Sequence, residues 1–470
     1  QQSPGRRKWY PDRLVQFLQR HSGNIFTAVM AGSALLLLFP LCILYYTAGT
    51  MAARFPAPHN IRHDNLNHHV TSVCIDYQPL SSNSPSYAEI FSMDDDPVPY
   101  KTKIRSKSVI FCVYQNDVFQ RFPKLQYRVT DIPGAYCTHL LYYKAGVTAD
   151  GTIYSKDPEF DETYQGYRLA AELKNTYPHL KVLLALGGGP DDRDTFQFSS
   201  FTSELNRTLV FADKAYWLLV SKGFDGLHID WRQPGGDCGR KTDKQNFLRL
   251  IRVLRGRFGF RFLLTIAVPH SQEQRHRGYH LPDLAGNVNY LLAVTHGFHT
   301  AAELRTQCPS PYAAPPNHSG PTVRDVMHAL KYEVPREHRN KLCFSVSLKG
   351  LFWTLKTSSA FVVGSPAVRA GPPVGATHTR GLAEYPIICK FLLKDGLDDT
   401  GLCSYAVRFR HWVSYEGTRS LPVKLGRMRR EMGTHDLCLA VWDLEFDDFL
   451  GTCGVSRSPL LKTIFLTLAF

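Results

Sequence analysis

Between Phe224 and Gln233 the chain reads FDGLHIDWRQ, and three of its polar residues fall two apart: His228, Asp230 and Arg232. Alternate side chains of an extended strand share a face, so an imidazole, a carboxylate and a guanidinium leave this segment on the same side. Such a trio can hold an ion pair or orient a ligand. It is poorly equipped to donate a proton, because a guanidinium keeps its charge across the usable pH range. Asp230 is the expected partner of Arg232, and His228 can donate or accept beside them, which gives a cluster that satisfies itself. A second arrangement would gather His228, His296 and His299 from two strand ends around a metal. No H-E-x-x-H spacing supports it, and many of the 19 histidines lie in surface-like stretches. No G-x-S-x-G run marks a serine nucleophile. We therefore expect no metal and no other cofactor.

The elements that must position these residues are short apolar runs alternating with amphipathic stretches. VIFCVY (109–114), THLLYY (138–143), KVLLALGGG (181–189), FDGLHIDW (224–231), FLLTIAVP (262–269), YLLAVTHGF (290–298), KLCFSVSL (341–348) and LCLAVWDL (437–444) read as buried strands. TYQGYRLAAELKNTY (163–177) and DKQNFLRLIRVLRGRF (243–258) carry helical periodicity. Eight strands alternating with helices predict an α/β fold, a (β/α)8 barrel over residues 106–456. Gly, Pro and polar residues accumulate at about 353–419, which predicts a small α+β insertion between the seventh and eighth strands. Residues 457–470 are expected as a C-terminal tail.

From about Ser108 to Val455 the chain resembles glycoside hydrolase family 18, the chitinases and chitinase-like proteins. KVLLALGGG resembles the third strand of that family. FDGLHIDW with Pro234 resembles its fourth-strand signature D-G-x-D-x-D-W-E-x-P, in which Asp225 is the opening Asp. LLTIAVP resembles the sixth-strand region, and LAVWDLEFDDFLGTCG (439–454) the eighth strand and its exit. Hydrolysis in this family is substrate-assisted: an acetamido oxygen attacks the anomeric carbon, one Glu protonates the leaving oxygen, and two Asp residues steady the reacting group. The resemblance places His228, Asp230 and Arg232 where the family has Asp, Asp and Glu. It also places His296 and Gly297 at a Tyr-Asp pair, Gly189 and Asp117 at two Trp positions, Gln233 at a Tyr, and Lys349-Gly350-Leu351 at a Tyr-Gly-Arg. Trp442, the floor of the cleavage subsite, is kept, with His296 as the other vestige of sugar binding. The resemblance further implies disulfides Cys112–Cys137 and Cys389–Cys453. Cys42, Cys74, Cys238, Cys308, Cys343, Cys403 and Cys438 are left without a pairing. The function these replacements imply is that of a pseudoenzyme that binds a protein or glycan ligand. The alternatives are a lectin for short chitin-like oligosaccharides and a hydrolase of altered mechanism.

Upstream of the barrel, residues 25–46 read IFTAVMAGSALLLLFPLCILYY without a charge, long enough to span a bilayer. Five basic residues and one acidic residue precede this run, and Arg54 is the first basic residue after it. The positive-inside rule then sets residues 1–24 in the cytosol, a signal-anchor helix at 25–47, an irregular stalk at 48–105 and the barrel outside, as a single-pass type II membrane protein. A cleaved signal peptide and secretion is the alternative. Sequons at Asn206 and Asn317 agree with either route. The whole chain carries 55 basic and 41 acidic residues, net +14, a balance that suits acidic glycans, lipid headgroups or nucleic acid. No nucleic-acid motif accompanies it, so no nucleic-acid partner is expected and the excess reads as a solvated basic surface. A hydrophobic content of 44% excludes a wholly disordered chain.

Overall fold

The structure is a computed structural model and describes residues 107–470, apart from 119–125, 189–192, 315–319, 360, 392–393 and 455. The expected tail 1–24, span 25–47 and stalk 48–105 lie outside the described residues, as do Cys42, Cys74, Gly189 and Asn317. Among the described residues no helix is long and apolar enough to cross a membrane.

All eight apolar runs form strands: Val109–Gln115, His139–Val147, Lys181–Gly187, Gly226–Asp230, Leu263–Val268, Tyr290–Ala293, Leu342–Ser347 and Cys438–Trp442. They pair in parallel in that order, and the pairing of Val109 with Cys438 closes the ring. LLTIAVP is therefore the fifth strand, not part of the sixth, which is Tyr290–Ala293. Strands covered on both faces need apolar side chains on both, which is why these runs read as continuous hydrophobic segments. Phe111, Val113, Leu141, Leu183, Ala185 and Ala440 fill the interior. Their alternates, including Cys112, Leu140, Leu184, Leu227 and Ile229, pack outward with the helices.

The helix Asp243–Phe258 shows how the outer ring is specified. Phe247, Leu250, Ile251, Leu254 and Phe258 recur at helical spacing and are buried. Its first residue also braces the loop leaving the fourth strand. The Asp243 carboxylate accepts from the backbone of Gly235 (3.1 Å) and Arg240 (2.7 Å) and from the Ser199 hydroxyl (2.8 Å).

The insertion is an antiparallel sheet in the order Ala367–Ala370, Gly350–Leu355, His411–Tyr415, Ser404–Arg408, Lys394–Leu397, with Leu382–Ala383 also paired to Gly350–Leu355 and a helix at Tyr385–Phe391. It thus opens before the expected boundary at 353 and closes before 419. Trp353 belongs to its core, with Trp412 at 5.5 Å and its own indole N–H donating to the Glu303 carbonyl. The segment expected as a tail ends in a helix, Pro459–Ala469, whose Leu460, Ile464 and Leu468 are buried. Arg429 holds its last turn by donating to the carbonyls of Thr467 and Leu468.

Four disulfides join Cys112 to Cys137, Cys389 to Cys453, Cys308 to Cys403 and Cys343 to Cys438. The first two are the pairs the resemblance implied. Cys343 and Cys438 face each other across the seventh and eighth strands inside the barrel, with Cα atoms 4.4 Å apart. Cys238 is the free cysteine among the described residues.

Candidate functional site at the barrel mouth

The fourth strand ends at Asp230, and strand alternation sends His228 and Asp230 inward while Leu227 and Ile229 face the helices. Both inward residues are buried. Arg232 comes just past the strand and returns its guanidinium to Asp230: Nε lies 3.0 and 3.2 Å from the two carboxylate oxygens, and Nη2 lies 3.0 Å from Oδ2. The Arg232 side chain is 36% exposed. Burial alone would raise the Asp230 carboxyl, but the Arg232 charge and hydrogen bonds outweigh it and hold the acid below the usual carboxylate range. The Asp230 charge in turn raises the Arg232 guanidinium further. The expected ion pair is present, and both members are fixed in their charged forms.

His228 does not complete that cluster as a hydrogen-bond partner. Its Nδ1 lies 2.8 Å from the Thr265 hydroxyl on the fifth strand. Burial pushes the imidazole down to about 4, so the ring is neutral at pH 7. Asp225 is a correction of a different kind. It precedes the strand, at the opposite end of the barrel, where its carboxylate accepts from the Val182 backbone (2.8 Å) and pairs with Lys174 (3.1 Å). The mouth residues and Asp225 are not brought together.

Tyr143, in the middle of the second strand, is a site residue that the sequence reading missed. Its hydroxyl lies 2.5 Å from the Gly188 carbonyl, 3.1 Å from Asp230 Oδ2 and 3.4 Å from Arg232 Nη2. The inward alternation of His139, Leu141 and Tyr143 was the available signal. Gly188 must be glycine here: its φ is +77°, and a Cβ would collide with the Tyr143 hydroxyl and the Asp230 carboxylate. Lys144 Nζ also reaches the Gly188 carbonyl, at 3.2 Å.

Trp442 ends the eighth strand and is only 8% exposed. The Tyr143 ring meets it edge-on at 4.9 Å, and the His296 ring lies tilted against it at 5.1 Å. His296 Nδ1 is 2.7 Å from the Ser345 hydroxyl, and burial lowers this imidazole to about 4 as well. Gly297 has φ +70°, with no atom within 4 Å of where a Cβ would stand. Asp443, also missed, comes after Trp442 in a left-handed conformation. It receives Gln115 Nε2 (2.9 Å), the Ser347 hydroxyl (2.5 Å) and Lys349 Nζ (2.8 Å). Burial pushes its carboxyl up, yet Lys349 and these hydrogen bonds bring it below the ordinary value.

His299 stands apart from His228 and His296, with Nδ1 2.9 Å from the Glu303 carboxylate. Among the described residues no group of His, Cys, Asp and Glu has metal-holding geometry. Asn206 is exposed in the first turn of the helix Leu205–Lys222, and the hydroxyl of its sequon Thr208 bonds the Glu204 carbonyl.

Residues 110–447 match the family model described as glycosyl hydrolases family 18. The chain is similar to the endochitinase of Manduca sexta, 28% identical over 379 residues, covering 76% of this chain and 67% of that protein. It is similar to chitotriosidase-1 of Mus musculus, 28% identical over 366 residues and covering 75% of each. Among solved structures, the Ostrinia furnacalis Group IV chitinase in complex with allosamidin superposes with a TM-score of 0.70 at 27% identity, covering 77% of this chain and 99% of that one. Human YKL-39, described as a pseudo-chitinase with retained chitooligosaccharide binding, shares the fold at a TM-score of 0.66 and 23% identity, covering 77% and 100%.

Proposed function

Because the chain belongs to the glycosyl hydrolases family 18, we propose that it is a catalytically inactive, chitinase-like barrel that acts by binding a protein or glycan ligand, held at a membrane by residues 25–47 with the barrel outside the cytosol. The observation that carries this reading is the Arg232–Asp230 pair. By the fourth-strand signature, the proton donor belongs at position 232. A guanidinium raised further by Asp230 has no proton to give, and it sets positive charge where an oxocarbenium-like transition state develops positive charge.

Two other carboxyls are candidates for a substitute acid. Asp443 is buried and held ionised by Lys349. Asp447 has its carboxyl raised to about 7 by burial, a value suited to acid catalysis, but its oxygens are engaged by the backbone N–H groups of Asp448, Leu460 and Leu461. Neither supports a hydrolase of altered mechanism. The lectin reading is favoured by Trp442 at the end of the eighth strand, yet His296 and Tyr143 already flank that indole, so it ranks second. The disulfides support an oxidising compartment, and with it the placement of the barrel outside the cytosol.

The test is release of a fluorescent leaving group from a short N-acetylglucosamine glycoside. No turnover is expected from the natural protein. None is expected from Arg232→Glu either, because His228, His296 and Gly297 still stand at the positioning residues, and each lost contact costs on the order of 10²-fold in rate. Turnover by the natural protein would overturn the reading.

A further inference from the structure

We infer that the end of the barrel opposite the mouth docks on a phospholipid bilayer through Trp217, Phe260 and Arg261. This rests on the reading that residues 25–47 hold the chain in a membrane, and it adds the surface that the barrel turns toward that membrane.

Two neighbouring helices and one loop build the surface. The helix Asp243–Phe258 is followed by residues 259–262, which lead into the fifth strand at the end opposite the mouth. Phe260 in this loop is fully exposed. Beside it Arg261 donates to the Tyr216 hydroxyl at 2.7 Å, on the helix Leu205–Lys222. The Arg257 guanidinium lies over the Tyr216 ring at 3.9 Å, and Phe262 meets that ring edge-on at 5.4 Å. Tyr216 is thereby fixed, and it meets Trp217 edge-on at 5.4 Å. Trp217 is nonetheless 61% exposed. It does not serve the core, because its helix buries Phe211, Ala215 and Leu219 on the other side.

Lipid is the occupant that these residues fit. Tryptophan concentrates where hydrocarbon meets headgroups, because its ring is apolar and its N–H seeks water. Phenylalanine adds apolar area to bury, and arginine donates to lipid phosphate in charge-assisted hydrogen bonds. The two helices and the loops after them, residues 205–225 and 243–262, hold the carboxylates Asp213, Asp225 and Asp243. Asp213 is paired with Arg257 at 2.5 Å and Asp225 with Lys174 at 3.1 Å, while Asp243 opens its helix at the other end. Arg261 is left without a carboxylate there. A second copy of the chain laid on this corner would set two such guanidinium groups against each other, whereas a phosphate surface answers them.

The path of the chain points the same way. Lys107 enters at this end, its backbone N–H 2.7 Å from Asp436 Oδ1. The residues that follow the apolar run 25–46 therefore join the barrel at the end that docks. Every barrel strand runs away from that end, so docking turns the mouth out from the bilayer. Asn206 lies on the same helix as Trp217 but roughly 16 Å earlier along its axis, so a glycan there clears the contact.

The test reconstitutes the full chain into phosphatidylcholine vesicles, with and without bromine on the acyl chains just below the headgroups. Bromine quenches an indole only on close approach. Trp9 is replaced by Phe throughout because it precedes the span, and Trp231, Trp353, Trp412 and Trp442 are buried. Tryptophan emission should fall in the brominated vesicles, and Trp217→Phe should abolish at least half of that fall. Phe260→Ser should at least halve it with Trp217 in place, and Arg261→Gln should reduce it. Phe196→Ser, which removes an exposed ring at the mouth end, should leave it unchanged. A fall that is as large in Trp217→Phe overturns the proposal. No fall, from a chain that still resists alkaline carbonate, overturns the docking and keeps the anchor. Release by carbonate after clear quenching refutes the anchor and keeps the docking, and release without quenching overturns both. Concentration-dependent cross-linking through this corner without quenching assigns it to a second copy and overturns the lipid reading.

Discussion

The buried imidazoles of His139 and His228 and the partly buried imidazole of His296 give acid pH a defined effect. Burial is the leading cause of depression in each, down to about 4, against an unfolded value of about 6.5. The unfolded chain therefore binds more protons between these values. The stability these rings contribute is complete above about 6.5 and is lost as pH falls toward 4, on the order of 3 kcal/mol for each ring. Asp447 acts in the opposite sense. Its carboxyl is raised to about 7, so its contribution is complete below about 4 and declines as pH rises through 7. His228 by itself accounts for a loss between pH 6.5 and 4.5, while Asp131, Asp161, Glu384 and Glu416, also raised by burial, act in the same sense as Asp447. Between those two pH values the urea midpoint of His228→Gln should lose less, or gain more, than that of the natural protein, and an equal change would remove His228 from the account. At this scale the sequence was legible only where side chains lie close along one strand. The Asp230–Arg232 pair is dictated by alternation alone. The Thr265 partner of His228 and the Ser345 partner of His296 come from neighbouring strands, and only the closed register supplies them. Asp225 was grouped with the mouth by its motif, although five strand residues put it roughly 16 Å along the chain from Asp230.

Elements were more legible than contacts. Each of the eight barrel strands was visible because a buried parallel strand is apolar on both faces, and its runs end at polar turns. The insertion was legible as a change of texture but not in its edges. Gly350–Leu355 is as apolar as a barrel strand, so composition placed the boundary too late. The Cys308–Cys403 and Cys343–Cys438 bonds were not legible at all, since pairing depends on which loops and strands meet. Cys308–Cys403 ties the loop after the sixth strand to the insertion across a sequence separation of 95. Closing a loop of that length stabilises by about 4 to 5 kcal/mol in the chain-entropy description. The double variant Cys308→Ala/Cys403→Ala should therefore lower the urea midpoint strongly while keeping the far-ultraviolet dichroism of the barrel. A midpoint within error of the natural protein would show that the bond does not constrain the unfolded chain. Peptide maps without reduction should recover all four linked pairs, and free thiol at Cys343 and Cys438 would contradict the seventh-to-eighth strand register.

For the whole molecule, the decisive question is where the barrel is displayed, because a barrel that acts by binding meets only the ligands on its own side of a membrane. Residues 25–46 are uncharged, and the basic residues ahead of them outnumber those just behind. The barrel binds eight of its cysteines in disulfides, a state that persists in secretory compartments and on cell surfaces but seldom in cytosol. Asn206 is exposed on a helix of the outer ring, where an attached glycan meets no packed neighbour. These observations point one way and can be tested together on intact cells expressing the full chain. The expected result is a membrane-bound protein that resists alkaline carbonate extraction and loses its barrel to external protease. Glycosidase treatment should shift its mobility, and the Asn206→Gln variant should show a smaller shift. A soluble protein of reduced length in the medium would establish cleavage after the apolar run and leave the barrel secreted. A barrel protected from protease in intact cells, with both sequons unmodified, would refute display at the cell surface.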